Sequence, residues 1–424
     1  MRWRIDHVLP VEDGRVPEQP TSVLVDGGMI SATGTSAEGA EADQVTDGQK
    51  QWLVPGLVDL NCHLREPGPD RKGSIATETL AAARGGVTRL CTVPDTSPVN
   101  DSGAVTYLIQ DLARQNGRVR VYPVGAMTRG LAGEYLSDMA SLASAGCVAL
   151  GNAGYATRDA RVMRRCMAYA RTFDLKLFIQ PENPALAADG CAHDGVMAAR
   201  LGLPGIPEVA ETTAVNELLM LAAETGVRLH LGPISCARSV ELIRAAREAG
   251  QEVTCEVGIA HLVATEGSID GYEGIFHCRP PLRTELDRQA LLEGVESGVI
   301  DAIVSQHRPT DRAAKQAPFA DTEPGLSTVE SLLSLGLRLV NEGALSRQRL
   351  LNALTAGPAR ILDQAVPALA PGSRADFFLL APGQHWRVEA ENLLSAGVHA
   401  PTLGEELPGV VTLTALDGRI VYQA

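Results

Sequence analysis

The chain reads as an α/β protein: a (β/α)8 TIM barrel carrying a small β-sandwich domain built from both chain ends. Three observations predict this. Short β-rich runs recur eight times, with Ala-, Leu- and Arg-rich stretches of helical spacing between them, the alternation expected of a closed parallel barrel. The two ends break that rhythm and carry strand, Asp-Gly turn, strand patterns instead. No GxGxxG follows the first strand, so a doubly wound open sheet ranks second.

The elements follow in order. Ser22–Gly34 (SVLVDGGMISATG) predicts an N-terminal hairpin. The barrel strands are expected at Trp52–Leu60, Val87–Pro94, Val119–Gly125, Cys147–Leu150, Leu175–Gln180, Arg228–Leu231, Glu252–Val257 and Ala302–Ser305. Helical spacing predicts helices at Thr77–Arg84, Asp159–Arg171, Thr213–Glu224, Ser239–Ala249, Leu286–Glu296 and Val329–Val340. Ala375–Leu380 and the hairpin Val410–Tyr422 (VVTLTALDGRIVY) should pair with the N-terminal strands. The expected division is residues 1–54 and 365–424 for the β-domain and 55–364 for the barrel. Asn183–Ala210 and Arg308–Gly325 are the longest irregular stretches, expected over the barrel mouth.

Composition narrows the function classes. With 424 residues, 45% of them hydrophobic, the chain can bury a large core. A net charge of −14 repels nucleic acid phosphates and anionic membranes, so neither is an expected partner. There is no signal-like start and no run near the roughly 20 apolar residues of a membrane helix, so a cytoplasmic location is expected. Eight scattered cysteines form no CxxC, which leaves zinc knuckles and dithiol redox motifs unsupported. Nothing resembles a phosphate-binding P-loop.

The segment that carries chemical information is PGLVDLNCHLREPG, Pro55 to Gly68. A strand ending in His-x-His would place two imidazoles on one face, where both could grip one divalent ion. Here the first of those positions is Asn61, and only His63 could ligate. With Arg65, Glu66 and Pro67 the stretch resembles the signature of the cyclic amidohydrolases, most closely the dihydroorotases. GGVTRLCTVPDTSPV, HLGPIS, CRPPLR, DAIVSQHRP, TAGPARIL and GSRADFFLL match that family in order along nearly the whole chain.

The resemblance implies a metal-dependent hydrolase, and the strand ends depart from it. The family's first strand supplies two metal-binding histidines, which correspond to Asn61 and His63. Its fourth-strand aspartate or carboxylated lysine falls on Asn152 and Ala153, its fifth-strand histidine on Gln180, and its sixth-strand histidine on Pro233. The eighth-strand aspartate, metal ligand and general base in the family, falls on Gln306. The strand-two asparagine that helps Arg65 hold a carboxylate substrate is Asp95, a like charge. Neutral amides do not replace imidazole or carboxylate donors, and an amide cannot serve as base.

The expectation is therefore an inactive pseudo-dihydroorotase with no catalytic residues, no metal and no cofactor, keeping Asn61, His63, Arg65, Asp95, Ala153, Gln180, Pro233 and Gln306 as vestigial site positions. The family includes inactive homologues that act as non-catalytic subunits of aspartate transcarbamoylase. The resemblance thus implies a hetero-oligomer with that catalytic chain, self-association within the complex, and a role in pyrimidine biosynthesis. Two alternatives stand beside it: an active cyclic amidohydrolase with a remodelled site, drawing on His230, His261 or His307 with Cys62 or Glu182, and a metabolite-binding regulatory subunit.

Overall fold

The computed structural model describes all residues, 1–424. Eight parallel strands pair in sequence order: Leu57–Cys62, Val87–Thr92, Arg120–Ala126, Ala149–Gly151, Lys176–Ile179, Arg228–Leu231, Val253–Gly258 and Ala302–Val304. Each falls on one of the eight β-rich runs. Hydrogen bonds beyond the regular ladder join the last strand to the first. Cys62 bridges to His307, and the His63 N–H donates to the His307 carbonyl at 2.8 Å. Asp59, fully buried, accepts from the Ser305 N–H at 3.0 Å and from its hydroxyl. Burial pushes the Asp59 carboxyl up to about 6, because the Ser305 donors only partly offset desolvation.

The first predicted strand, Trp52–Leu60, is two strands. Trp52–Pro55 pairs antiparallel with Phe377–Leu380 in the second sheet, and Leu57–Cys62 enters the barrel. Gly56 makes the turn between them. A Cβ there would sit 2.1 Å from Thr88 Oγ1, and the Gly56 N–H donates to the Asp376 carbonyl. An unbroken apolar run conceals the bend, since hydrophobicity is the same on both sides of it.

The six predicted helices are present as Ile75–Arg84, Ala160–Thr172, Glu208–Thr225, Ala237–Glu248, Glu285–Ser297 and Leu332–Asn341. Ser74 and Thr284 each open a helix with a reciprocal capping box, which satisfies otherwise orphaned N–H groups. The helix at Glu208 starts upstream of the predicted Thr213 and takes the end of the stretch expected to be irregular. That stretch also holds the helices Pro184–Ala187 and Val196–Leu201 and a two-stranded pair, Ala192–His193 with Gly205–Ile206.

The second sheet combines Arg2–Pro10, Thr21–Asp26, Met29–Thr33, Gln44–Asp47 and Trp52–Pro55 with Phe377–Arg387, Glu406–Leu416 and Arg419–Gln423. Both predicted hairpins are there. Arg2–Pro10 was not expected, because a bulge between Ile5 and Val8, with His7 at φ 55°, breaks the alternation of Trp3, Ile5 and Val8. The sheet encloses a core of its own in which Trp3 and Phe377 rings lie 5.6 Å apart. Phe378, Leu380 and Val411 point the other way, into the core shared with the barrel helices. All eight cysteines are buried and unpaired. Burial pushes their thiols up, those of Cys166 and Cys278 to about 12.

Candidate functional site

A cavity at the C-terminal ends of the barrel strands collects five of the predicted positions: Asn61, His63, Ala153, Gln180 and Gln306. Arg65 and Asp95 stand behind His63. Gly232 lines the cavity, whereas its neighbour Pro233 does not. Of the two long segments, Arg308–Gly325 contributes its end residues to the wall. None of Asn183–Ala210 lines it; that segment packs beside the mouth, where the Met197 N–H donates to Glu266.

His63 projects into the cavity from just beyond the first strand and is largely buried. Its Nδ1–H donates to Asp95 at 2.9 Å, and Asp95 faces the Arg65 guanidinium at 3.7 Å. Burial lowers the His63 imidazole to about 4, outweighing the Asp95 carboxylate that would raise it. Burial alone would raise Asp95, yet the charges of His63, Arg308 and Arg65 hold it well below the usual carboxylate range. His63 is thus neutral near pH 7, with Nδ1 protonated and Nε2 left as the acceptor.

The positions around it are tied to one another. Asn61 Nδ2 donates to Glu256 at 3.0 Å, and the other Glu256 oxygen lies 3.1 Å from His230 Nε2. His230 Nδ1 reaches Thr254 Oγ1 at 2.8 Å, so a hydrogen-bonded file runs through the barrel from Thr254 to Asn61. Asn152 clamps the fifth strand: its amide donates to the Gln180 carbonyl at 3.1 Å and accepts the Gln180 N–H at 3.0 Å. Gln306 Nε2 donates to the Arg279 carbonyl at 2.9 Å. Arg279 in turn forks onto Glu182. Arg65, Ala153 and Gln306 all have positive φ, 63°, 49° and 52°, a strained backbone that tertiary context must hold.

Glu256, at the end of the seventh strand, was missed by the sequence reading. The available signal was a lone acid in the apolar run VTCEVG. Arg279 and Arg308 were missed because they reach the cavity from loops. His230, His261 and His307 do not converge. His261 faces the Pro280 carbonyl, and His307 is held between Glu78 and the Thr328 N–H.

The metal that the resemblance implies does not fit these side chains. No three His, Cys, Asp or Glu residues converge anywhere in the molecule. The amides of Asn61, Gln180 and Gln306 offer neither charge nor donor strength in their place. The cavity's free volume is about 50 Å³, room for a few waters, against the ~300 Å³ or more of ligand pockets.

Comparison with known proteins places this geometry. The family described as Dihydro-orotase-like matches residues 50–239. The chain is 43% identical over 406 residues to the "Dihydroorotase-like protein" of Pseudomonas aeruginosa, covering 96% of each chain. It is 44% identical over 405 residues to the protein of the same name from Pseudomonas putida, covering 96% of this chain and 95% of that one. A "Dihydroorotase" of Anaeromyxobacter dehalogenans is 39% identical over 424 residues, 98% of both. Among solved structures, the L-hydantoinase of Arthrobacter aurescens superposes with a TM-score of 0.88 at 23% identity, over 99% of this chain and 96% of that one. That likeness shows the fold alone, an eight-stranded barrel with an attached sheet. The full-length identity to both sets of relatives goes further: the chain belongs to the dihydroorotase-like family.

Proposed function

We propose that this chain is a catalytically inactive member of its family, serving as a structural subunit of an aspartate transcarbamoylase complex in pyrimidine biosynthesis. One observation carries the reading: apart from His63, the positions that would hold metal and base are amides or apolar groups, and two of the amides donate to neighbours within the fold. Gln306 donates to the Arg279 carbonyl and Asn61 to Glu256. Hydrolysis of a cyclic amide needs an activated water and a base to take its proton. At the positions where the family carries them, this chain has Gln306 in place of the base and His63 as the one remaining donor of the metal set. The relatives named dihydroorotase-like, at 43% and 44%, stand nearer in identity than the dihydroorotase at 39%.

The partner follows from the resemblance to non-catalytic members that assemble with the transcarbamoylase catalytic chain, with self-association inside the complex. A cytoplasmic location belongs to the same proposal. Eight unpaired cysteines accord with a reducing compartment, and no helix is long and apolar enough to cross a membrane. The small cavity favours this role over metabolite binding.

The test is light-scattering mass after size exclusion, on this chain alone and co-expressed with the transcarbamoylase of its own source. A stoichiometric complex containing active transcarbamoylase is the expected result. Separate elution of the two chains would overturn the partner assignment. Stoichiometric zinc with turnover of dihydroorotate would overturn the inactivity.

A further inference from the structure

The helix Glu208–Thr225 lies on the outside of the barrel between Ala160–Thr172 and Ala237–Glu248, and it is apolar on both sides. Its inner side buries Ala210, Val215, Leu218, Leu219 and Ala222. Its outer side carries Val209, 50% exposed, and Met220, 67% exposed, with Thr213 and Asn216 exposed between them. On a helix these four positions fall within an arc of about 60°, a stripe about 16 Å long. None of the four is charged, in a chain of which 21% of residues are charged. A surface helix ordinarily turns charged and polar side chains outward, so a stripe with an apolar residue at each end singles this face out.

The spacing within the stripe reads alike from either end: four residues from Val209 to Thr213, three to Asn216 and four to Met220. A two-fold axis that sets the helix antiparallel on its own copy therefore matches every position at once. Val209 meets Met220 of the partner subunit, Thr213 meets the partner's Asn216, and both pairs recur at the other end, as an isologous contact requires. One pair is apolar, and the other sets a hydroxyl against an amide, each able to donate and accept. Beside the stripe lies a recess of about 380 Å³, lined by Thr212, Met220 and Leu221 with Arg238 and Leu242 of the next helix. It is a groove of the kind that the side-chain ridge of a second helix fills.

Charge selects this face over its neighbours. Ala160–Thr172 turns out Arg161, Arg164, Arg165 and Arg171, and Glu285–Ser297 turns out Glu285, Glu293 and Glu296. Either face laid on its own copy sets like charge against like. The ionic groups at the recess are Glu217 and Arg238, of opposite sign. We infer that Glu208–Thr225 is the surface through which two copies of this chain associate, packed antiparallel across a two-fold axis. The inference rests on the self-association in the proposed function and names its face; the transcarbamoylase contact is not involved.

The test is light-scattering mass of the full chain alone across a concentration series, with Met220→Glu compared against Tyr107→Glu, an exposed tyrosine on the helix Gly103–Asn116. Both side chains point to solvent, so both variants should fold, which circular dichroism checks. A dimer is expected, with dissociation made at least about tenfold easier by Met220→Glu and unchanged by Tyr107→Glu. The register has its own readout: a mixture of Val209→Cys and Met220→Cys chains should form a covalent dimer under mild oxidation, and neither variant alone should. The eight native thiols are buried and do not compete. A dimer that keeps its affinity when Val209→Glu and Met220→Glu are combined, or that fails to cross-link in the mixture, overturns this face while self-association stands. A monomer at every concentration overturns the self-association, and this face with it.

Discussion

Asn61 shows why a single reversion should not restore chemistry. Asn61→His would add one imidazole beside His63, while Ala153, Gln180 and Gln306 still line the cavity without a charged donor. Glu256, now the acceptor for the Asn61 amide, would gain a new partner and remain occupied by His230. The expected outcome is no dihydroorotate turnover with or without added zinc, read by a colorimetric assay for carbamoyl aspartate. Measurable turnover would contradict the assignment of the strand ends. At this scale the site was legible where residue type decided it. Five of eight named positions do line the cavity, because strand-end motifs fix their place. Glu256 and the arginines escaped, since nothing in a sequence says that a lone acid in a strand, or a base in a loop, turns inward.

Among the elements, the join between sheet and barrel rests on Gly56. Gly56→Ala places a methyl group against the Oγ1, Cγ2 and Cβ of Thr88, and the Cβ cannot be moved by a rotamer change. A loss of about 1–3 kcal/mol is expected in urea unfolding. A second prediction concerns Glu78 in the first barrel helix. It is fully buried and accepts from His307 at 2.7 Å, the Ser395 hydroxyl at 2.6 Å and the Ala396 N–H at 3.0 Å. Burial would raise its carboxyl, but those partners lower it overall. Glu78→Ala strands three buried donors and should cost about 3–5 kcal/mol, whereas Glu78→Gln should cost less. The eight barrel strands and six helices were legible because periodicity persists through them. The bend at Gly56 and the bulged Arg2–Pro10 strand were not, since both interrupt the period on which the reading depends.

For the molecule as a whole, acid sensitivity follows from buried histidines. Burial holds His261 at about 4, below its ordinary 6.5, and His277 is lowered to about 4 mainly by burial. The unfolded chain therefore takes up protons between these values that the folded chain refuses. Their contribution is complete above about pH 6.5 and is lost as pH falls toward 4, at about 1.4 kcal/mol per pH unit per group. Unfolding midpoints measured from pH 7 to 4 should fall along that window, and more shallowly in His261→Gln. A flat profile would contradict the buried-neutral assignment.

The eight cysteines extend this to kinetics. Their thiols sit in strands, helices and loops between Cys62 and Cys278, all buried and all resistant to ionisation. An alkylating reagent can reach a thiolate only after local opening. The native chain therefore carries eight built-in reporters of breathing, and the order in which mass spectrometry finds them modified would map which segments open first.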